Sequence, residues 1–549
     1  MQRTVSIFAA MVLGSVLAWA DDPPSSPPVS LLPADRPMEQ TIDHYVDALS
    51  KTDKITPAPL ADDAAFIRRV TLDLIGRIPT VAETSAYLAG NDPQKKAKLI
   101  DRLMASPGFV RHQATELNTL LLSDEPGRRG VRKTVLREYL VTSLAQDRRW
   151  DGIFRDLLLP DETNDKMKGA NEFLKTRVKD LNKLTIDVST IFFGVNVSCA
   201  QCHDHPHVHD WKQDHFYGLK SFFARTIDNG GFLAERDFGV VKFIPNKGKE
   251  KEAPVMFLTG KTIAAPGLKE PTKEEKKAEQ ERLDVAKKAK KAAAPPQYSL
   301  RAKLVETALE PGQRDFFARS IVNRLWHRHF GRGLVAPLDQ MHSENPPSHP
   351  ELLQWLARDL VAHGYDLRHV IRGIVLSNAY ARSSRWEGDK QPADKYFAVA
   401  QVRALTPMQM AVSLKLAVAD QKTLGSDPAE LEKRLEALEK SAEGMTRHFP
   451  QPGDNFQVSV SEAMLFGNNE SLQKELLEGN DRLSKLMLQE SDMTKRAELS
   501  IRHVLCRPAR GEETQAIAAY LLQRQDRAEA ACQQAVWALL TSAEFRFNH

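Results

Sequence analysis

The segment Ser348-His349-Pro350-Glu351-Leu352-Leu353-Gln354-Trp355-Leu356-Ala357-Arg358-Asp359-Leu360-Val361 sets the fold class. Leu353, Leu356, Ala357, Leu360 and Val361 recur at i, i+3, i+4, i+7 and i+8, the spacing that gathers apolar side chains on one helix face. Ser348, three residues ahead of Glu351, reads as a capping box at the start of that helix. Working outward, Thr80-Val81-Ala82-Glu83 repeats the capping box before a helix that closes at Gly90. Thr406-Pro407-Met408-Gln409 opens another, with proline at its first position. Cys532, Ala535, Val536, Leu539 and Leu540 form the same stripe, which makes Cys532 a core position. Strand-like runs are few, so the expected fold is mainly α. Residues 186–197 (IDVSTIFFGVNV) read two ways, as a β-branched strand or as a buried helix entering the cysteine motif that follows.

A chain of 549 residues suggests two to four units. With 42% hydrophobic and 27% charged residues and a mean hydropathy of −0.41, it is neither a polytopic membrane protein nor a wholly disordered one. A formal charge of +4 is too small to call for nucleic acid. Residues 1–20 combine Arg3, an apolar stretch from Val5 to Leu17, and Ala18-Trp19-Ala20, a Sec signal peptide cleaved after Ala20. The expected location is therefore periplasmic or secreted, with no stable membrane insertion after cleavage. Residues 21–37, rich in Pro and Ser, read as an extended tether. Two helical regions are expected next, 38–227 and 299–549. They are joined by a linker, 228–298, with short strands (FGVVKFIP, PVMFLTG) and a Lys/Glu-rich run from Lys269 to Lys291 that reads as a solvated helix or flexible segment.

The chemistry concentrates in Val197-Ser198-Cys199-Ala200-Gln201-Cys202-His203-Asp204-His205-Pro206-His207-Val208-His209-Asp210-Trp211. It contains C-x-x-C-H, the c-type haem attachment sequence, in which two thiols a turn apart form thioethers and the adjacent imidazole ligates iron. Three readings stay open. Cys199 and Cys202 anchor haem c with His203 axial; or these residues with His205, His207 and His209 hold zinc or iron, as in a metal hydrolase; or Cys199 and Cys202 form a structural disulfide in a non-catalytic scaffold. Candidates for a sixth haem ligand are His205, His207, His209, His215, Met341, His342 and His349. Trp211, Phe216, Tyr217, Phe222 and Phe223 read as the apolar face of an ordinary helix. Cys506 and Cys532 are candidates for a bridge. The basic run Asn323–Gly333 reads as a helix ending at Gly331, with an anion site as the alternative. No nucleophile or general base is fixed by any motif, so an enzyme class is not assigned.

These residues resemble the planctomycete-type cytochrome-c-like secreted proteins, whose two signature regions are domains of unknown function. The resemblance rests on Phe66–Thr80 (FIRRVTLDLIGRIPT), on Cys199-Ala200-Gln201-Cys202-His203-Asp204-His205-Pro206 with Trp211, on Val322–Trp326, His329–Val335 and Pro346–Leu353, and on Ala538–Phe545. It implies a helical exported protein of two regions with a deliberate role for Cys199, Cys202 and His203. It brings no established reaction. His207 and His209 depart from the pattern, standing where an aromatic or apolar residue and an acidic one are expected. The reading that follows is an exported haem c protein working with a redox partner, its oligomeric state open.

Overall fold

Why these residues make helices is visible at their ends. In the computed structural model, which describes residues 31–549 apart from 123–130, 207, 247, 267–270, 426 and 454–468, the helix Val81–Ala89 starts at Thr80 with both hydrogen bonds of the capping box to Glu83 and stops at Gly90. The helix Pro407–Val418 has the same arrangement between Thr406 and Gln409, with Pro407 in its first turn. The helix Pro350–Ala362 differs from expectation. Its cap residue is His349 and no side-chain cap bond forms, because the Ser348 hydroxyl faces His349 Nδ1 at 3.1 Å instead of a backbone N–H. The two-valued stretch resolves as helix, Leu181–Phe193, closed by Gly194 at φ 68. The expected signal peptide and most of the expected tether, residues 1–30, lie outside the described residues. The tether's last residues are docked: Trp355 Nε1 donates to the Leu32 and Pro33 carbonyls at 3.1 Å, and Tyr45 Oη accepts from Leu32 N.

Two helical regions, about 38–220 and 300–546, flank a segment of short strands. In that segment, the hairpin of Thr226–Asn229 with Phe232–Glu235 carries the charged helix Lys273–Lys288, whose single buried side chain is Leu283. The expected solvated helix is present. Glu235, buried, binds the start of the helix Leu300–Leu309 through Leu300 N at 2.7 Å and Ser299 Oγ at 2.6 Å, where a carboxylate complements N–H groups that have no partner within the helix.

The hydrophobic cores divide the chain elsewhere than at the linker. One core takes residues between Met38 and Phe397, so the first half of the second region packs with the first. A second core runs from Leu405 to Phe545 and also takes Leu72 and Ile78. The helix Asp63–Ile75 therefore lies between the two cores, and every residue from Phe66 to Ile75 is buried. Its buried charged side chains, and Arg77 just past its end, must find partners inside. Arg68 donates to Phe545 O at 2.8 Å, Arg69 to Arg382 O at 2.9 Å, and Arg77 clasps Glu83 at 2.8 and 2.9 Å. Asp73 accepts from Arg403 Nη2 at 2.7 Å and Nη1 at 3.1 Å, from Tyr380 Oη at 2.7 Å and from Asn548 Nδ2 at 2.8 Å.

Candidate functional site

The helix Leu181–Phe193 delivers the chain to the cysteine motif through a left-handed turn at Gly194. The φ of 68 favours glycine, and a β-carbon there would lie 2.8 Å from Met341 Sδ, so the methionine side chain would have to move. The loop is tied on both sides to one segment of the second region. Before the motif, Asn196 N donates to Asp339 O at 2.7 Å and Met341 N to Gly194 O at 3.0 Å. After it, both carboxylate oxygens of Asp210 accept from Ser343, at 2.8 Å each.

Ser198–Gln201 form one tight turn, with Cys202 N and His203 N both directed at Cys199 O. Cys199 and Cys202 are exposed and free. The helix Gln213–Ser221 holds this turn by its backbone. Gln213 Nε2 donates to Cys202 O at 3.1 Å, Tyr217 Oη donates to Gln201 O at 2.9 Å, and Asp204 Oδ1 accepts from Gln213 N at the helix's positive end. His203 is exposed, and its Nδ1 lies 2.7 Å from Asp204 O. A carbonyl only accepts, so Nδ1 donates here, and in the neutral ring the lone pair is then on Nε2. An imidazole oriented this way is the usual form of a metal-ligating histidine.

The other histidines are engaged differently. His205 Nδ1 accepts from Val208 N at 3.0 Å, and His215 Nδ1 accepts from Lys212 N at 3.1 Å while its ring packs edge-on to Trp211. Burial, aided by Lys212, holds the His215 pKa down. His209 is exposed, and His207 lies outside the described residues. Among the described residues, the motif's cysteines and histidines form no group of three donor atoms within 4.8 Å of one another. Met341 is buried beneath Gly194, and His342 Nδ1 is buried without a hydrogen-bond partner. His349 belongs to the cluster around Phe397, where burial pushes its pKa down to about 4.

Trp211, Phe216, Phe222 and Phe223 are core residues and Tyr217 packs half-buried against them, but only Phe216 and Tyr217 stand on the helix Gln213–Ser221; the other three flank it, so the five do not form one helical face. Cys506 and Cys532 are buried, free thiols; no bridge joins them, and Cys506 Sγ instead lies near Arg68 and the Pro79 carbonyl. The basic run is the end of the helix Asp315–Phe330, closed by Gly331 at φ 79. Two of its arginines are spent internally, Arg324 Nη2 donating to Thr190 O at 2.6 Å and Arg328 Nη2 to Asp73 O at 3.3 Å, while Arg332, past the helix end, is exposed. A cleft of about 640 Å³ lies apart from the motif, between Thr80–Ala82 and the second core, and is lined by Leu431, Leu486 and His503 among others.

Residues 41–228 match the family described as a protein of unknown function, DUF1549, and residues 300–449 match DUF1553, described in the same words. The chain carries the paired DUF1549 and DUF1553 domains. No curated protein and no solved structure matches the chain. The cysteine motif lies inside the DUF1549 match, and the segment that ties it down, 339–343, lies inside the DUF1553 match. The pairing of the two domains is thus also a pairing across this loop. Sequence reasoning missed the buried centre at Asp73 and a cluster of Asp359, His363 and His369, whose parts are ordinary helix residues when read one at a time.

Proposed function

We propose that the chain is an exported c-type cytochrome-like protein of the planctomycete type, with haem c on Cys199 and Cys202, His203 as axial ligand, and a role in electron transfer to a redox partner. The observation that carries this reading is the His203 Nδ1–Asp204 O hydrogen bond beside two free, exposed thiols one turn apart. These donors fit the group: two exposed sulfurs for thioethers and one imidazole whose Nε2 is left free of a protein partner by the Nδ1 hydrogen bond. When bound, the haem supplies one-electron redox chemistry. The chain's own residues then have separate tasks. Gln213 and Tyr217 fix the backbone that carries the thiols, and Asp204 holds the imidazole's tautomer with its carbonyl and the helix start with its carboxylate. A signal peptide at residues 1–20 supports the reading, since covalent haem attachment takes place outside the cytoplasm. A zinc or iron site at the same motif is less favoured, because it needs three or four convergent donors.

The test is a pyridine haemochrome spectrum with a haem-stained denaturing gel, on protein exported from a host with c-type haem maturation. The expected result is covalent haem that is lost in Cys199→Ala and Cys202→Ala. A colourless, correctly exported protein overturns the proposal, and elemental analysis for zinc and iron then decides between a metal site and a scaffold.

A further inference from the structure

We infer that Asp359, His363 and His369 form a second site, one that binds a borderline divalent cation of the zinc type. Asp359 stands on the last turn of the helix Pro350–Ala362, and His363, one turn later, is its C-cap residue. Gly364 and Tyr365, at φ 61 and 60, reverse the chain. Asp366 then caps the helix Leu367–Leu376 by accepting from Arg368 N and His369 N, which sets His369 in the first turn. The result is convergence on one oxygen: His369 Nε2 lies 2.8 Å and His363 Nδ1 3.4 Å from Asp359 Oδ2. All three donor atoms lie within 4.8 Å of one another. The two rings stack at 3.9 Å, 20° from parallel, so one of them turns out of the stack to bring both in-plane lone pairs onto a single ion.

Charge explains why a cation belongs there. The Asp359 side chain is only 4% exposed, and among the described residues its carboxylate pairs with these two imidazoles and with no lysine or arginine. A buried carboxylate requires a counter-charge. A dication among the three donors supplies it. Tetrahedral bonds of about 2.0–2.2 Å place ligand atoms roughly 3.3 Å apart, so the 3.4 Å contact already matches and the 2.8 Å contact opens by about half an ångström. Two imidazoles with one carboxylate suit zinc and its neighbours, and they argue against calcium or magnesium, which take oxygen donors. Neutral imidazole binds through the nitrogen without its proton. On occupation, each ring therefore moves its proton to its other nitrogen, or releases it; for His363 this replaces the 2.9 Å bond from Nδ1 to Asp359 O. The His363 and His369 side chains are 48% and 33% exposed, so a three-donor site keeps a position open to solvent.

The test is calorimetric titration of zinc chloride into the full chain carrying Cys199→Ser and Cys202→Ser, so that the motif thiols contribute nothing. Cobalt(II) absorption serves as a second readout. One equivalent is expected, with affinity falling at least about 100-fold in His369→Ala, beyond the 10–100-fold typical of losing an outer-shell partner. Thermal melting in chelator checks that the variant folds, and His363→Gln at the exposed ring is the substitute if His369→Ala does not. Absence of stoichiometric binding, or binding that both variants leave unchanged, overturns the site.

Discussion

Replacing Asp73 by asparagine tests the buried centre. The carboxylate receives four hydrogen bonds, two of them from the Arg403 guanidinium, and its side chain is 4% exposed against 17% for Arg403. Burial alone would raise its pKa, but the charge and hydrogen bonds of Arg403, with the Tyr380 hydroxyl, hold it below the usual carboxylate value. The Asp73→Asn amide would keep the shape and lose the charge, leaving Arg403 buried without a counter-ion and turning its own N–H donors toward other donors. Breaking a buried pair from one side costs about 3–5 kcal/mol, and Arg403→Met should cost a similar amount for the mirror-image reason. The double variant Asp73→Asn/Arg403→Met leaves neither charge orphaned. It should be less destabilised than the sum of the singles by about 2 kcal/mol, the coupling of contacting residues. Urea unfolding followed by circular dichroism at neutral pH measures all four proteins. Single-variant losses that add to within about 0.5 kcal/mol would refute the argument that the pair is coupled through its charge.

Thr406→Ala should cost about 1 kcal/mol because it removes a cap bond that is present, whereas Ser348→Ala should stay within about 0.5 kcal/mol because its hydroxyl caps nothing; paired urea midpoints compare them. Phe154→Ala, at a fully buried ring with centroids 4.8 Å from both Phe192 and Phe317, should cost about 3–5 kcal/mol in the same assay. Glu83 is held at about 2, burial being outweighed by the charge and hydrogen bonds of Arg77. A folded pKa below the unfolded 4.5 means that its stabilisation is complete above about pH 4.5 and is lost as pH falls towards 2, so Glu83→Gln should flatten the acid side of a stability-against-pH curve. An unchanged slope would contradict that assignment.

Much of the helical layout was legible because its signals are local. Thr80 with Glu83, Thr406 with Gln409, and Gly331 act through bonds spanning three or four residues, and the stripe ending at Val361 reports its own buried face. The Ser348 cap failed for a local reason as well: cap motifs specify residue types, while backbone geometry at His349 and Pro350 moved the start by one position. The stretch 186–197 was ambiguous since β-branched residues suit a strand and a buried helix alike, and only packing decided. Arg68, Arg69, Asp73 and Arg77 are residue types that usually face water; they are buried because segments from Tyr380 onward, including the second core, close over them, which no local window contains. At the cysteine motif, the residue types and spacing were readable, but the bond that sets the His203 tautomer and the ties to residues 339–343 were not.

The centre at Asp73 also orders events in time. Its partners stand 307, 330 and 475 positions further along the chain, at Tyr380, Arg403 and Asn548. A chain emerging from its amino end therefore carries an Asp73 that lacks its neutralising arginine until residue 403 is available, and its last donor until residue 548. The helix that bears it cannot reach its final burial before then without stranding a charge in apolar surroundings. Closure of the polar centre is thus a late, long-range step that waits on nearly all of the sequence, while the capped helices around it need only their nearest neighbours.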